Sequence, residues 1–148
     1  MAKDKAPMGK VVVEIAISND RDEGLTAAGH LKPGEVRRAE VQATVDTGAT
    51  MLVLPEDLIE RLGLPVLRKV NTRYGDGRVV ARTVYGSVRL KVLNRVITVD
   101  ALSAPAGTRA LLGQIPLEGL DFLVDATKHR LIPNPESPDP EMALVEVL

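Results

Sequence analysis

The feature that most constrains this chain is an Asp-Thr-Gly tripeptide, Asp46-Thr47-Gly48, enclosed by two apolar segments. Residues 43–45 enter it and residues 51–54 leave it, and such short aliphatic and β-branched runs favour strands. Gly48 permits a backbone geometry that a Cβ would obstruct, and the Thr47 hydroxyl can hold the loop by a local hydrogen bond. We expect Asp46 to be partly buried and hydrogen-bonded, a setting that acid/base chemistry uses.

Two segments of the chain resemble the retropepsin-like (retroviral-type) aspartic protease family. Asp46-Thr47-Gly48-Ala49 resembles its active-site loop, and Ala110-Leu111-Leu112-Gly113 with residues 116–123 resembles the apolar run and short helix that end its fold. The resemblance covers roughly residues 37–133 and is closest to small bacterial proteins of this type. The family often places a polar capping residue two positions after that glycine, where this chain has Ile115, so the helix entry departs from the pattern.

The resemblance implies both a fold and a set of site residues. The implied fold is all-β, a closed acid-protease barrel of six to eight strands with one or two short helices; short valine-rich strands and frequent turns are typical of such barrels. The implied catalytic residue is Asp46, with Thr47 and Gly48 supporting the loop and Ala49 contacting the substrate.

A second candidate region lies between those two segments. Residues 70–80 are predicted to form a β-hairpin with Asp76-Gly77 at or near its tip. Tyr74-Gly75-Asp76-Gly77 resembles the Tyr-Gly-x-Gly flap of pepsin-like enzymes, which implies that these four residues close over a bound peptide. The alternative is an ordinary surface hairpin.

The number of Asp-Thr-Gly motifs predicts the assembly. Two carboxyl groups that share one proton are needed for pepsin-type chemistry, and this chain contains a single Asp-Thr-Gly. We therefore expect a symmetric homodimer in which two copies of Asp46 form the dyad of an aspartic endopeptidase, without a metal or cofactor. A catalytically silent peptide-binding or assembly module is one alternative, and a small β-barrel without a peptide site is another.

The composition narrows the classes of partner. The 148 residues include 19 basic and 20 acidic side chains, a net charge of −1, so no electrostatic footprint for nucleic acid is expected. There is no cysteine, which excludes a thiol nucleophile. Both histidines, His30 and His129, are expected at the surface. Aromatic residues are only 2%, so the core must be aliphatic.

The remaining elements follow from periodicity and turn residues. One domain is expected, with a core at 10–133 and a tail at 134–148. Residues 55–62 are predicted as a short helix and residues 19–35 as a solvated loop. Further strands are predicted at residues 10–18, 37–45, 51–54, 84–93, 96–102, 122–125 and 130–132.

The residues at the two ends of the chain also allow predictions. Residues 1–10 are polar, and neither a signal peptide nor a membrane span is expected, so a cytoplasmic protein is the default. The expected partners are a second copy of the chain and a peptide or protein substrate, not a membrane. Residues 142–148 are apolar and strand-like, and we expect them to pair at the subunit interface.

Overall fold

The structure is a computed structural model that describes residues 10–148, so most of the polar N-terminal stretch lies outside the described residues. The described chain forms nine strands and three α-helices. Their bounds are β1 (Val11–Asn19), α1 (Asp20–Ala27), β2 (Arg38–Val45), β3 (Leu52–Pro55), α2 (Glu56–Leu62), β4 (Val66–Arg73), β5 (Val79–Val92), β6 (Arg95–Ala104), β7 (Ala110–Leu112), α3 (Gln114–Leu120), β8 (Phe122–Asp125) and β9 (Arg130–Pro133).

Six strands close into a mixed barrel. Their order is β1-β2-β7-β3-β6-β5, and β1 pairs with β5 to complete the ring. The 14-residue β5 serves two partners on one edge, because Val79–Tyr85 pairs with β4 whereas Val88–Val92 pairs with β1. As a result β4 and the first half of β5 extend from the barrel as a hairpin.

The barrel interior is aliphatic, as the scarcity of aromatic residues predicts. Along β1 the alternate residues Val11, Ile15 and Ile17 are buried, which is the period of a strand with one face on the core. Strands β3, β5 and β7 contribute further fully buried side chains, among them Leu52, Leu54, Leu90, Val92 and Leu112. The predicted mostly-β barrel is confirmed.

The number of helices is larger than expected. Residues 19–35 were predicted as a loop, and this was wrong, because Asp20–Ala27 forms α1. The helix has no apolar stripe, and Asp22 is its one buried residue. Its ends supply the stabilisation instead: the Asn19 side chain accepts a hydrogen bond from the Asp22 amide, and three acidic residues occupy the first turn.

A carboxylate–guanidinium pair joins α1 to the start of β2. Asp22 accepts hydrogen bonds from Arg37 Nε (2.9 Å), Arg37 Nη2 (3.0 Å) and the Arg37 amide (3.0 Å). The side-chain hydrogen bond from Arg37 is the main cause that lowers the pKa of Asp22 below its ordinary value, and burial of the carboxylate opposes that shift. Helix α1 is therefore tied to the barrel through Asp22 and Arg37.

The C-terminal tail is held at its start and exposed at its end. The strand expected at residues 142–148 is absent, since residues 134–148 form no strand. Arg95, which is 4% exposed, donates to the carbonyls of Pro140 (2.8 Å) and Met142 (3.1 Å), and Asp121 Oδ2 accepts from the Leu144 amide (2.8 Å). Beyond Leu144 the apolar side chains of Val145, Val147 and Leu148 are exposed.

Within residues 10–148 there is no helix that could cross a membrane. Each helix found there is too short to span a bilayer.

Candidate active site

Asp46 lies directly after β2, at the start of the loop that leads to β3. Its amide donates to the Leu112 carbonyl (3.0 Å), its carbonyl accepts from the Ala49 amide (3.1 Å), and its Oδ1 accepts from the Gly48 amide (2.9 Å). The side chain is partly exposed, and within residues 10–148 its Oδ2 has no hydrogen-bond partner. One carboxylate oxygen therefore orients the residue while the other remains open to a ligand.

The space around Gly48 is tight, although its backbone angle is ordinary. It does not have a positive φ, but a Cβ at this position would lie 3.2 Å from Asp46 Oδ1. The neighbouring Thr47 side chain is exposed, and its hydroxyl makes no hydrogen bond to any residue in the described range. The loop is thus held by backbone groups and by the Asp46 carboxylate.

The segment from β7 into α3 supports this loop from the other side. Strand β7 pairs in parallel with β2 and antiparallel with β3, so it lies between the two strands that carry the Asp46 loop. A Cβ on Gly113 would come within 2.7 Å of the Ala49 carbonyl oxygen and closer still to that of Met51. Only glycine at position 113 allows these two segments of the chain to approach each other this closely.

The first amides of α3 complete the support. The Gln114 amide donates to the Ala49 carbonyl and the Ile115 amide to the Thr50 carbonyl, both at 2.8 Å. These amides are among the four that a helix start leaves unpaired, so the loop replaces the side-chain cap that α3 lacks. This explains how a helix forms although Ile115 stands where a polar residue was expected. The sequence did not predict the role of these two amides, because a hydrogen bond from a backbone amide does not depend on the type of residue that makes it.

The predicted hairpin is present, with Tyr74, Gly75, Asp76 and Gly77 in its turn. The Tyr74 amide donates to the Arg78 carbonyl (2.9 Å), and Asp76 Oδ1 accepts from the Arg78 amide (2.9 Å). Gly77 has φ +85, a value that favours glycine. The Tyr74 ring lies under the Arg78 guanidinium, 4.6 Å from its centroid, and its hydroxyl accepts from Arg82 Nε (3.2 Å).

The structure brings only part of the predicted site together. Residues 46–49 form one unit with Gly113 and the start of α3, whereas no hydrogen bond or ion pair in the described chain joins this unit to the Tyr74–Gly77 turn. Two concave surfaces of the described chain, one near the 105–109 loop and one formed mainly by β1, β2 and β5, are not lined by Asp46. The Asp46 loop lies outside both of them.

Comparison with known proteins agrees with this geometry at the level of the family. No curated protein matches the chain. The family described as gag-polyprotein putative aspartyl protease matches residues 33–123, which is more than half of the chain and includes the Asp46 loop, the hairpin, β7 and α3. The chain therefore belongs to the gag-polyprotein putative aspartyl protease family, which is retropepsin-like.

Proposed function

We propose that this protein is an aspartic endopeptidase whose active site is formed by the Asp46 loops of two copies of the chain. The observation that carries the proposal is the Asp46 carboxylate itself. Its Oδ1 is fixed by the Gly48 amide, its Oδ2 is free of partners within residues 10–148, and its loop is tied by backbone hydrogen bonds to β7 and α3. A rigidly placed carboxylate with one open oxygen is suited to sharing a proton with a second carboxylate.

The proposed reaction uses both copies of Asp46 and one water. The ionised carboxylate accepts a proton from the water, whose oxygen attacks the carbonyl carbon of the peptide bond. The protonated carboxyl of the other copy donates a hydrogen bond to the carbonyl oxygen. When the C–N bond breaks, the departing nitrogen takes the proton that the first carboxyl accepted from water and leaves as the amine, so the pair again holds one proton. The two carboxyls must together hold one proton, so their titration belongs to the pair.

The number of Asp-Thr-Gly motifs and the exposure of Asp46 support the proposed homodimer. A single Asp-Thr-Gly supplies one carboxylate, and Asp46 is partly exposed in the single chain. A second copy placed about a two-fold axis would supply the missing carboxyl and the opposite wall of a cleft. In this arrangement the hairpin of residues 66–85 acts as a flap. Its strand β4 pairs only with β5 in the described chain, and most β4 side chains are exposed, so few contacts oppose its movement.

Digestion of a diverse peptide library by wild type and by Asp46→Asn tests the proposed chemistry. We expect at least a 100-fold loss of turnover in the variant, the order of effect of a general acid or base. Folding should be retained, because the asparagine Oδ1 can still accept from the Gly48 amide. Thermal unfolding is the control for folding. Undiminished cleavage by Asp46→Asn would rule out the assignment.

Mixing the two proteins tests the shared site. A fixed amount of wild type is titrated with Asp46→Asn, and activity is measured after subunits have exchanged. If the site needs two chains, wild-type subunits are drawn into inactive mixed dimers and activity falls towards zero. If each chain carries a complete site, activity stays constant, and the dimer proposal fails. A protein that binds library peptides but cleaves none would instead be the silent binding module.

A further inference from the structure

A buried arginine lies between helix α3 and the C-terminal tail. Arg95 is the first residue of β6 and is 4% exposed. It forms no ion pair within residues 10–148, and the centroid of the Phe122 ring lies 4.8 Å from its guanidinium carbon. A charged group that is removed from water must be compensated by other polar groups, and here these are backbone carbonyls.

Four carbonyls surround the guanidinium group. Nη1 of Arg95 donates to the carbonyls of Leu120 (2.8 Å) and Asp121 (2.7 Å), at the end of α3. Nη2 donates to the carbonyls of Pro140 (2.8 Å) and Met142 (3.1 Å), in the tail. The side chain therefore ties the end of α3 to β6 and to the tail at one point.

Helix α3 is short and depends on contacts at its two ends. It has seven residues, so most of its amides and carbonyls lack a partner within the helix, and a helix of this length is marginal by itself. Its first two amides donate to the carbonyls of Ala49 and Thr50, and its last carbonyl accepts from Arg95. The helix is about 10 Å long, with the Asp46 loop at one end and Arg95 at the other.

Apolar packing holds the side of α3 but leaves its ends to hydrogen bonds. Leu117 and Leu120 are buried, and a Cβ on Gly119 would overlap the Ile97 side chain of β6. Such contacts are not directional, so they keep the helix against the barrel without fixing its position along its own axis. The hydrogen bonds at the two ends fix that position. Release of the end at Arg95 would therefore free the helix to shift.

We infer that Arg95 is a positioning residue for the proposed active site. By holding the end of α3, it keeps the first amides of the helix on the Asp46 loop and so keeps the Asp46 carboxylate in place. Within the described chain none of the hydrogen bonds of Arg95 reaches that loop, so it acts through α3. The inference rests on the proposed function, because two carboxyls share a proton only if both are accurately placed.

Amide hydrogen exchange of the full chain tests the link without any measurement of activity. In Arg95→Met, which removes every donor, exchange at the Gln114 and Ile115 amides should accelerate at least about tenfold more than exchange at Ile15 and Ile17. The last two residues lie in β1 where it is paired on both sides, so they report on the whole barrel. If Arg95 only stabilises the fold, all four amides accelerate alike and the inference is wrong.

Arg95→Lys covers the case in which the methionine variant does not fold. Lysine keeps the charge but has a single nitrogen, which cannot serve the helix carbonyls and the tail carbonyls together. It should show the same selective acceleration to a smaller extent. If Arg95→Met fails to fold, the lysine variant decides, and uniform acceleration in it overturns the inference.

Asp22→Asn is the control for stability. This variant loses stability through α1, so exchange at Gln114 and Ile115 should accelerate no more than exchange in β1. A selective acceleration of the same size in this control would mean that any loss of stability frees α3, and the inference would fall.

Turnover is the second measurement, made at protein concentrations above the dimer dissociation constant. Arg95→Met should lower kcat at least about tenfold and change KM less than about twofold, because displaced carboxyls slow the reaction more than they weaken substrate binding. The pH profile of kcat should narrow, since the two carboxyls interact less when they lie further apart. Asp22→Asn should retain both the rate and the profile. Wild-type kcat and pH profile in Arg95→Met would overturn the inference.

The two proposals fail separately. If wild type cleaves no peptide, the proposed function is wrong, and the exchange measurement still decides whether Arg95 fixes the Asp46 loop. If wild type cleaves peptides but Arg95→Met behaves like Asp22→Asn, the protein is a protease and Arg95 is not a positioning residue.

Discussion

At the scale of single residues, the candidate site depends on close backbone approach. Asp46 is positioned by amides and carbonyls of the neighbouring segments, and the two glycines of this region, Gly48 and Gly113, keep those segments in contact. Neither has a positive φ; a Cβ on Gly113 would overlap backbone oxygens, and a Cβ on Gly48 would lie 3.2 Å from the Asp46 carboxylate. Substituting these glycines therefore acts through steric overlap.

Gly113→Ala should disrupt the site more than the fold. The added Cβ would overlap the carbonyl oxygens of Ala49 and Met51, and overpacking of this kind costs about 1–3 kcal/mol of unfolding free energy. The Asp46 loop must shift to relieve the overlap, so turnover should fall at least about tenfold. Gly24→Ala is the control, because this helical glycine has nothing within 4 Å and should gain about 0.5–1 kcal/mol. Denaturant unfolding and peptide cleavage are measured for both; normal activity in Gly113→Ala would contradict the close-contact argument.

Asp22→Asn should make the protein less stable and less sensitive to acid. Arg37 lowers the pKa of Asp22 in the folded state, so this carboxylate stabilises the fold at pH above its unfolded pKa, about 3.9. The contribution is lost as the pH falls through the lower folded pKa. The variant should therefore lose about 1–3 kcal/mol at neutral pH, with a gap that narrows towards pH 2. Denaturant unfolding across that range checks this, with Glu60→Gln as an exposed control; a gap independent of pH would contradict it.

At the scale of elements, β5 is the strand that links barrel and hairpin. Its second half closes the barrel against β1, and its first half carries β4 outward. Pairing shifts register on β5 between Tyr85 and Val88, where one half gives way to the other. The pairs with β4 and the pairs with β1 therefore occupy different parts of β5.

The two turn glycines of the hairpin should respond differently to valine. Gly75 has open space around it and no positive φ, so Gly75→Val should change the unfolding free energy by less than about 0.5 kcal/mol. Gly77→Val places a β-branched residue at φ +85 and should cost about 1–2 kcal/mol. Both should lower turnover, because a side chain at the tip obstructs approach of the turn to a peptide. If both variants cleave peptides at the wild-type rate, the hairpin has only a structural role.

At the scale of the whole molecule, apolar side chains near the end of the chain are exposed in the single subunit. Val145, Val147 and Leu148 are exposed in the single chain, and burying each large side chain contributes about 1.5–3 kcal/mol. The tethers from Arg95 and Asp121 end at Leu144, so the last four residues leave the barrel from a fixed point. We continue to predict that they pair at the subunit interface.

Two truncations separate dimer contacts from fold stability. Ending the chain after Leu144 retains the Arg95 and Asp121 tethers, so the subunit should stay folded while the dimer dissociation constant rises at least about tenfold. Ending it after Asn134 also removes the carbonyl partners of the buried Arg95, so stability should fall as well. Sedimentation and thermal unfolding measure the two effects. If the protein that ends after Leu144 has the same dimer dissociation constant as the full chain, the tail does not hold the dimer together.

The sequence predicted the elements whose signals are local. Alternating valines marked the strands, Pro55 and Gly63 bounded α2, and Asp76-Gly77 marked the hairpin turn. It failed for α1, because this helix has no apolar stripe and depends on the Asn19 cap and on Arg37, 15 residues away from its partner Asp22. It failed also for the tail, where apolar composition favours a strand but residues 134–148 form none in the single chain.

The candidate site divides in the same way. The sequence alone identified the family, the mostly-β barrel and the candidate catalytic residue, because Asp46-Thr47-Gly48 and the apolar run before Gly113 are recognisable as residue types. The tertiary structure was needed to show how that residue is held and how the hairpin is joined to the barrel. Those contacts are made by backbone groups and by strand register, and they join segments more than 60 residues apart, so no local pattern of side chains encodes them.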